Sequence, residues 1–128
     1  MKFTMYHTCI TVLDLEKSMK FYEEALGLKE VRRIEAADGS SKIVFLETEG
    51  SLCQLELTWY ADREEPYNLG DNEIHIGFRT DDYEASLAKH RQMADEKDLT
   101  AMKPYELRSY LDYAEDPDGC WMEIVPTR

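Results

Sequence analysis

The amino-acid sequence predicts an α+β protein built from two tandem βαβββ modules, whose strands form a curved mixed β-sheet around a cleft. Three observations carry this prediction. The chain repeats itself at a fixed offset, each half runs strand, helix and then strands, and strong turn signals punctuate the runs. Displacing the sequence by 68 brings His7 onto His75, Asp14 onto Asp82, Glu16 onto Glu84 and Ser18 onto Ser86. Near the end of each half the offset becomes 67, and Cys-Gln-Leu-Glu-Leu from Cys53 falls on Cys-Trp-Met-Glu-Ile from Cys120. Several matches in one order, with a single one-residue slip, point to an ancient duplication.

The elements follow in order. Residues 5–12 read as a strand, and Asp14 is placed to cap a helix. Leu15, Met19, Tyr22 and Leu26 recur at helical spacing, and Gly27 fits the stop after the last turn. Strand-like runs cover residues 28–34, 42–47 and 52–59, the first two joined by an Ala-Asp-Gly-Ser turn at 37–40. In the second half, residues 73–80 read as a strand. Asp81 or Asp82 caps a helix that carries Tyr83, Leu87, His90 and Ala94 on one face. Residues 99–103, 109–114 and 120–125 complete the strands, with an Asp-Pro-Asp-Gly turn at 116–119. The polar stretch 61–72 joins the halves. The chain is therefore expected to be one domain over 1–128, with modules at about 1–65 and 73–128.

Composition bounds the function. At 128 residues, 43% hydrophobic and 33% charged, the chain is long enough for one real core and ordinary for a soluble globular protein. It has no apolar run of membrane-spanning length, and the first residues do not divide into the regions of a signal peptide. A cytoplasmic protein with no membrane partner is the expectation. A net charge of −12 argues against a nucleic-acid partner, because phosphate binding needs a basic surface. Cys9, Cys53 and Cys120 are too few and too scattered for a disulfide framework, and buried free thiols are expected.

The period-2 alternation of the key strands then sorts four residues onto one kind of face. His7 lies opposite Thr8, Ile10 and Val12, and Glu56 opposite Cys53, Leu55 and Leu57 in the polar–apolar sorting of their strands. His75 lies opposite Ile74, Ile76 and Phe78, and Glu123 opposite Met122 and Ile124. Two imidazoles and two carboxylates on repeat-related strands form a mixed nitrogen and oxygen donor set. Such a set suits nickel, cobalt, iron, manganese or zinc as divalent ions. A lone strand histidine or glutamate would be only a polar surface group; the metal reading rests on all four at matched places. His90, on a helix, reads as a packing or solvated residue rather than a ligand.

The paired His and Glu pattern, the Tyr-His-Thr opening, the helix from Asp14 to Leu28, the Gln-Leu-Glu-Leu-Thr strand and the closing Glu-Asp-Pro-Asp-Gly-Cys-Trp-Met-Glu-Ile resemble the glyoxalase I (lactoylglutathione lyase) family of the vicinal oxygen chelate superfamily. The resemblance covers essentially the whole chain. It implies that His7, Glu56, His75 and Glu123 are ligands of one divalent ion, nickel or cobalt first and zinc as a further option. It implies isomerisation of the hemithioacetal of methylglyoxal and a small thiol to an S-lactoyl thioester through an enediolate. Glu123 is the first candidate for the proton-shuttling base and Glu56 its pseudo-symmetric partner. Family members are commonly homodimers that share each site between two chains, although some build it within one.

Two departures bear on the thiol. Glutathione-using relatives carry arginine four residues after the first histidine, where this chain has Thr11. They also continue the Glu-Leu-Thr run with an aromatic residue and asparagine, where this chain has Tyr60. Arg79, the repeat-equivalent of Thr11, is the candidate replacement contact for a substrate anion, helped by Lys103 or Arg108. The rival readings are an extradiol dioxygenase, a thiol transferase or an epimerase, none of which needs Glu56. A metal-free drug-binding module, with a cleft lined by aromatics such as Trp59 and Tyr60, is the alternative from a different class.

Overall fold

A computed structural model describes residues 1–72, 74–95 and 112–127. Two compact units divide the chain, Met1–Tyr67 and Asn68–Arg128, so the division falls inside the predicted joining stretch.

The first unit runs β1 (His7–Thr11), α1 (Leu15–Leu26), β2 (Lys29–Glu35), β3 (Ser41–Glu47) and β4 (Gln54–Tyr60), the predicted βαβββ order. Both ends of α1 behave as the sequence requires. The Asp14 carboxylate accepts from the Lys17 N–H at 3.0 Å, satisfying one orphan donor of the first turn. Gly27 takes a left-handed conformation at φ 70°, and its N–H donates to Glu23 O at 2.9 Å. The buried stripe is Leu15, Ser18, Phe21, Tyr22 and Ala25, whereas Met19 and Leu26 are only half-buried. The helix is thus turned slightly from the expected ladder, so that Ser18, Phe21 and Ala25 join Leu15 and Tyr22 on the buried face.

The four strands order as β1-β4-β3-β2, with β1 parallel to β4 and the other pairs antiparallel. Val12, Val44, Leu46, Leu55 and Leu57 are buried with the helix residues. β1, β2 and β4 begin one or two residues later than the hydropathy pattern predicts. β1 starts at His7 because its partner starts at Gln54, so Met5, Tyr6 and Leu52 lie outside the ladder and are exposed.

The second unit repeats the plan with β5 (His75–Thr80), α2 (Tyr83–Asp95), β6 (Asp112–Glu115) and β7 (Trp121–Pro126). Asp82 is the cap of α2, accepting from the Ala85 N–H at 3.0 Å, which resolves the choice between Asp81 and Asp82. The strands order as β5-β7-β6 among the described residues, β5 parallel to β7 and β6 antiparallel to it. Each unit carries its own mixed sheet. The predicted strand at 99–103 lies outside the described residues, as does the first half of the one at 109–114. Met93, Ala114, Met122 and Ile124 form the apolar centre, and His90 on α2 is buried. Among the described residues no helix is long and apolar enough to cross a membrane.

Candidate metal centre

The parallel strand pairs place the predicted ligands. In the first unit, His7 pairs with Gln54 and Cys9 with Glu56, so the glutamate stands two residues further along β4 than the position facing His7. In the second unit, His75 pairs with Trp121 and Gly77 with Glu123, the same two-residue stagger. Alternate positions along a strand share a face, so each imidazole and its carboxylate meet diagonally. His7 Nε2 lies 2.9 Å from Glu56 Oε2, and His75 Nε2 lies 3.2 Å from Glu123 Oε2. The sequence repeat is thus reproduced as a repeated side-chain geometry.

These pairs fit a divalent ion. Adjacent ligand atoms at about 2.1 Å from an octahedral ion stand roughly 3 Å apart, close to both measured separations. Both carboxylates are partly withdrawn from solvent, with side-chain exposures of 13% for Glu56 and 21% for Glu123. Within neither unit do three or more His, Cys, Asp or Glu side chains gather as donors among the described residues.

The surroundings of the two glutamates differ. Thr58, buried on the same face, donates its hydroxyl to Glu56 Oε1 at 2.9 Å, so Oε2 is the oxygen that faces His7. Cys9 Sγ stands 3.5 Å from Thr58 Oγ1. An ionised carboxylate can only accept, so the chain of donors runs from thiol to hydroxyl to carboxylate. Desolvation raises the Cys9 pKa, and the neighbouring Glu56 charge adds to it. Cys9 itself is exposed, and Cys53 and Cys120 are half-buried, which corrects the expectation of buried thiols. The reason is facial: Cys9 shares the His7 side of β1, away from the helix. At the equivalent positions the second unit has Gly77 and Val125. A Cβ added at Gly77 would lie 3.8 Å from Glu123 Oε2, and Val125 has no hydroxyl to offer.

The remaining predicted residues spread out. Thr11 ends β1, half-buried and paired in register with Thr58. Tyr60 ends β4 and is exposed. Arg79 is exposed on β5, on the same face as His75 and Gly77. Lys103 and Arg108 lie outside the described residues. Trp59 does not belong to the ligand face; it has the opposite parity, and its indole N–H donates to Leu13 O at 3.1 Å.

Sequence reasoning missed Tyr6, Arg32, Phe45 and Thr58. The His7 ring packs edge-on against Tyr6 and Phe45, at centroid distances of 4.8 and 5.7 Å. Phe45 pairs directly across the ladder from Glu56 and is buried. Only the strand pairing brings it there, since Val44, Phe45 and Leu46 are all buried and alternation does not single it out.

The model of the glyoxalase/bleomycin resistance protein/dioxygenase superfamily matches residues 4–124. The chain belongs to this superfamily. Among its relatives, this superfamily member is 32% identical over 127 residues to a lactoylglutathione lyase of Neisseria meningitidis, covering 94% of this chain and 88% of that protein. It is 36% identical over 124 residues to an uncharacterised protein of Bacillus subtilis, covering 92% and 93%. In structure it resembles the trypanothione-dependent glyoxalase I of Leishmania major, with a TM-score of 0.81, 30% identity and coverage of 98% of this chain and 87% of that one. The two-module α+β architecture is therefore that of the glyoxalase superfamily.

Proposed function

We propose that His7, Glu56, His75 and Glu123 together hold one divalent metal ion, and that this superfamily member is a glyoxalase I-type enzyme. Its reaction is isomerisation of the hemithioacetal of methylglyoxal and a small thiol to an S-lactoyl thioester. The observation that carries the reading is the duplicated His–Glu pair, with one stagger and near-equal separations in both units. The lactoylglutathione lyases and the glyoxalase I among its relatives support the same reaction class. Nickel or cobalt suits the donor set by the family resemblance, and zinc also accepts it. A homodimer that shares its sites between chains is the arrangement the resemblance favours.

A divalent ion held by His7, Glu56, His75 and Glu123 would supply Lewis-acid stabilisation of charge on the substrate oxygens. The side chains do the rest. His7 and His75 act as fixed donors. Glu56 is held through its second oxygen by Thr58 and is assigned a static role. At the places of Cys9 and Thr58 the second unit has Gly77 and Val125, and a Cβ added at Gly77 would lie 3.8 Å from Glu123 Oε2, at ordinary contact distance. Glu123 is assigned the base that removes the proton from one substrate carbon and returns it to the neighbouring carbon. Arg79 is the candidate contact for an anionic group on the thiol.

The test is an assay of metal-reconstituted protein with methylglyoxal hemithioacetals of glutathione and of other cellular thiols, read by thioester absorbance. Thioester formation with at least one thiol is expected. Stoichiometric metal without thioester from any of them would contradict the reading.

A further inference from the structure

β2 carries two adjacent arginines with opposite fates. Arg33 is neutralised on its own strand, with Nε 2.8 Å from Glu30 Oε1 and Nη1 3.2 Å from Glu35 Oε1. Arg32 has no acidic partner among the described residues, in a chain of net charge −12. It is nevertheless held still. Its guanidinium lies 4.0 Å over the Phe45 ring centroid, and its Nη2 donates to the Tyr6 hydroxyl at 3.0 Å.

A β-bulge puts it there. The register of β2 on β3 slips between Glu30 and Arg32, so Arg32 rather than Val31 stands opposite Phe45. Phe45 in turn stands opposite Glu56, and Glu56 opposite Cys9. One lateral row across the sheet is therefore Cys9, Glu56, Phe45 and Arg32. Two aromatic side chains, Tyr6 and Phe45, each touch both His7 and Arg32. Fixing a long, charged side chain costs rotamer entropy, and a stacked guanidinium keeps its in-plane N–H groups for a planar anion.

We infer that Arg32 binds a carboxylate of the ligand that occupies the His7–Glu56 face, and so selects thiol adducts bearing a carboxylate. This rests on the metal-site reading of that face. It concerns a residue of the first unit and is independent of the assignment to Arg79.

The experiment uses the metal-loaded protein and two matched ligand pairs. S-hexylglutathione is compared with its dimethyl ester by calorimetric binding. The methylglyoxal hemithioacetals of 3-mercaptopropionate and 2-mercaptoethanol are compared by kcat/KM. In wild-type protein at least one pair should favour the carboxylate form by roughly tenfold to a hundredfold, the scale of a charge-assisted hydrogen bond. Arg32→Gln should reduce the charged form at least tenfold more than the neutral form, collapsing the ratio between them, and Arg32→Lys should restore part of that ratio. The inference is overturned by an absence of preference in both pairs, by full retention of preference in Arg32→Gln, or by an equal loss for charged and neutral forms, which would mean that Arg32 only props His7. If no hemithioacetal turns over, the catalytic reading fails, while the calorimetric pair still decides the role of Arg32.

Discussion

Glu56 and Glu123 occupy equivalent places, yet the residue two places further along the strand is Thr58 in one unit and Val125 in the other. The Thr58 hydroxyl pins one, and Val125 stands where a second hydroxyl would be. Val125→Thr should therefore restrain Glu123 and lower kcat about tenfold, the scale of a hydrogen bond to a charged group. Thr58→Val should lower kcat much less. Steady-state kinetics of the two variants checks this; equal losses would mean that the asymmetry has no catalytic role. Cys120 makes a second prediction at this scale. Burial, with the Asp116 and Asp118 charges, pushes its thiol from 9.0 up to about 12. The folded chain then keeps a proton that the unfolded chain releases, so this stabilisation is complete below pH 9.0 and declines as pH rises toward about 12. Urea unfolding between pH 8 and 10.5 should show a steeper fall for wild-type protein than for Cys120→Ala, and parallel curves would contradict it. The pairing of His7 with Glu56 and of His75 with Glu123 was legible in the sequence because strand parity and the repeat both mark these residues. Arg32 was not, because a one-residue bulge decides which of two neighbouring side chains reaches that face.

Helix caps and turns were the elements most legible in the sequence, because they depend on local chemistry. The Asp-Pro-Asp-Gly turn forms as predicted. The buried Asp116 carboxylate accepts from the N–H groups of Asp118 at 3.0 Å and Cys120 at 2.8 Å. Gly119 closes the turn at φ 89°. Asp116→Ala would leave two backbone donors without their acceptor at the entry to β7, and should cost about 2 kcal/mol. Gly27→Ala forces a side chain into the left-handed conformation that ends α1, and should cost roughly 1 kcal/mol. Denaturant midpoints measure both; a change under about 0.3 kcal/mol in either would sink the corresponding account. Strand starts were less legible, because a strand begins where its partner does. Leu52 and Ile74 have the right hydropathy but no ladder, and both stand exposed.

At the scale of the molecule, duplication was written in the sequence as offsets of 68 and 67, and it reappears as two units with the same parallel pairing of first and last strands. The strand order in each sheet was not legible, since periodicity sorts faces and does not choose neighbours. The central claim is that both His–Glu pairs serve a single ion. Calorimetric titration of the metal-free protein with nickel tests it most directly. One equivalent per chain is predicted, lost in His7→Ala and lost again in His75→Ala. Two equivalents per chain, or one surviving in either variant, would mean that each pair binds alone and would contradict the account.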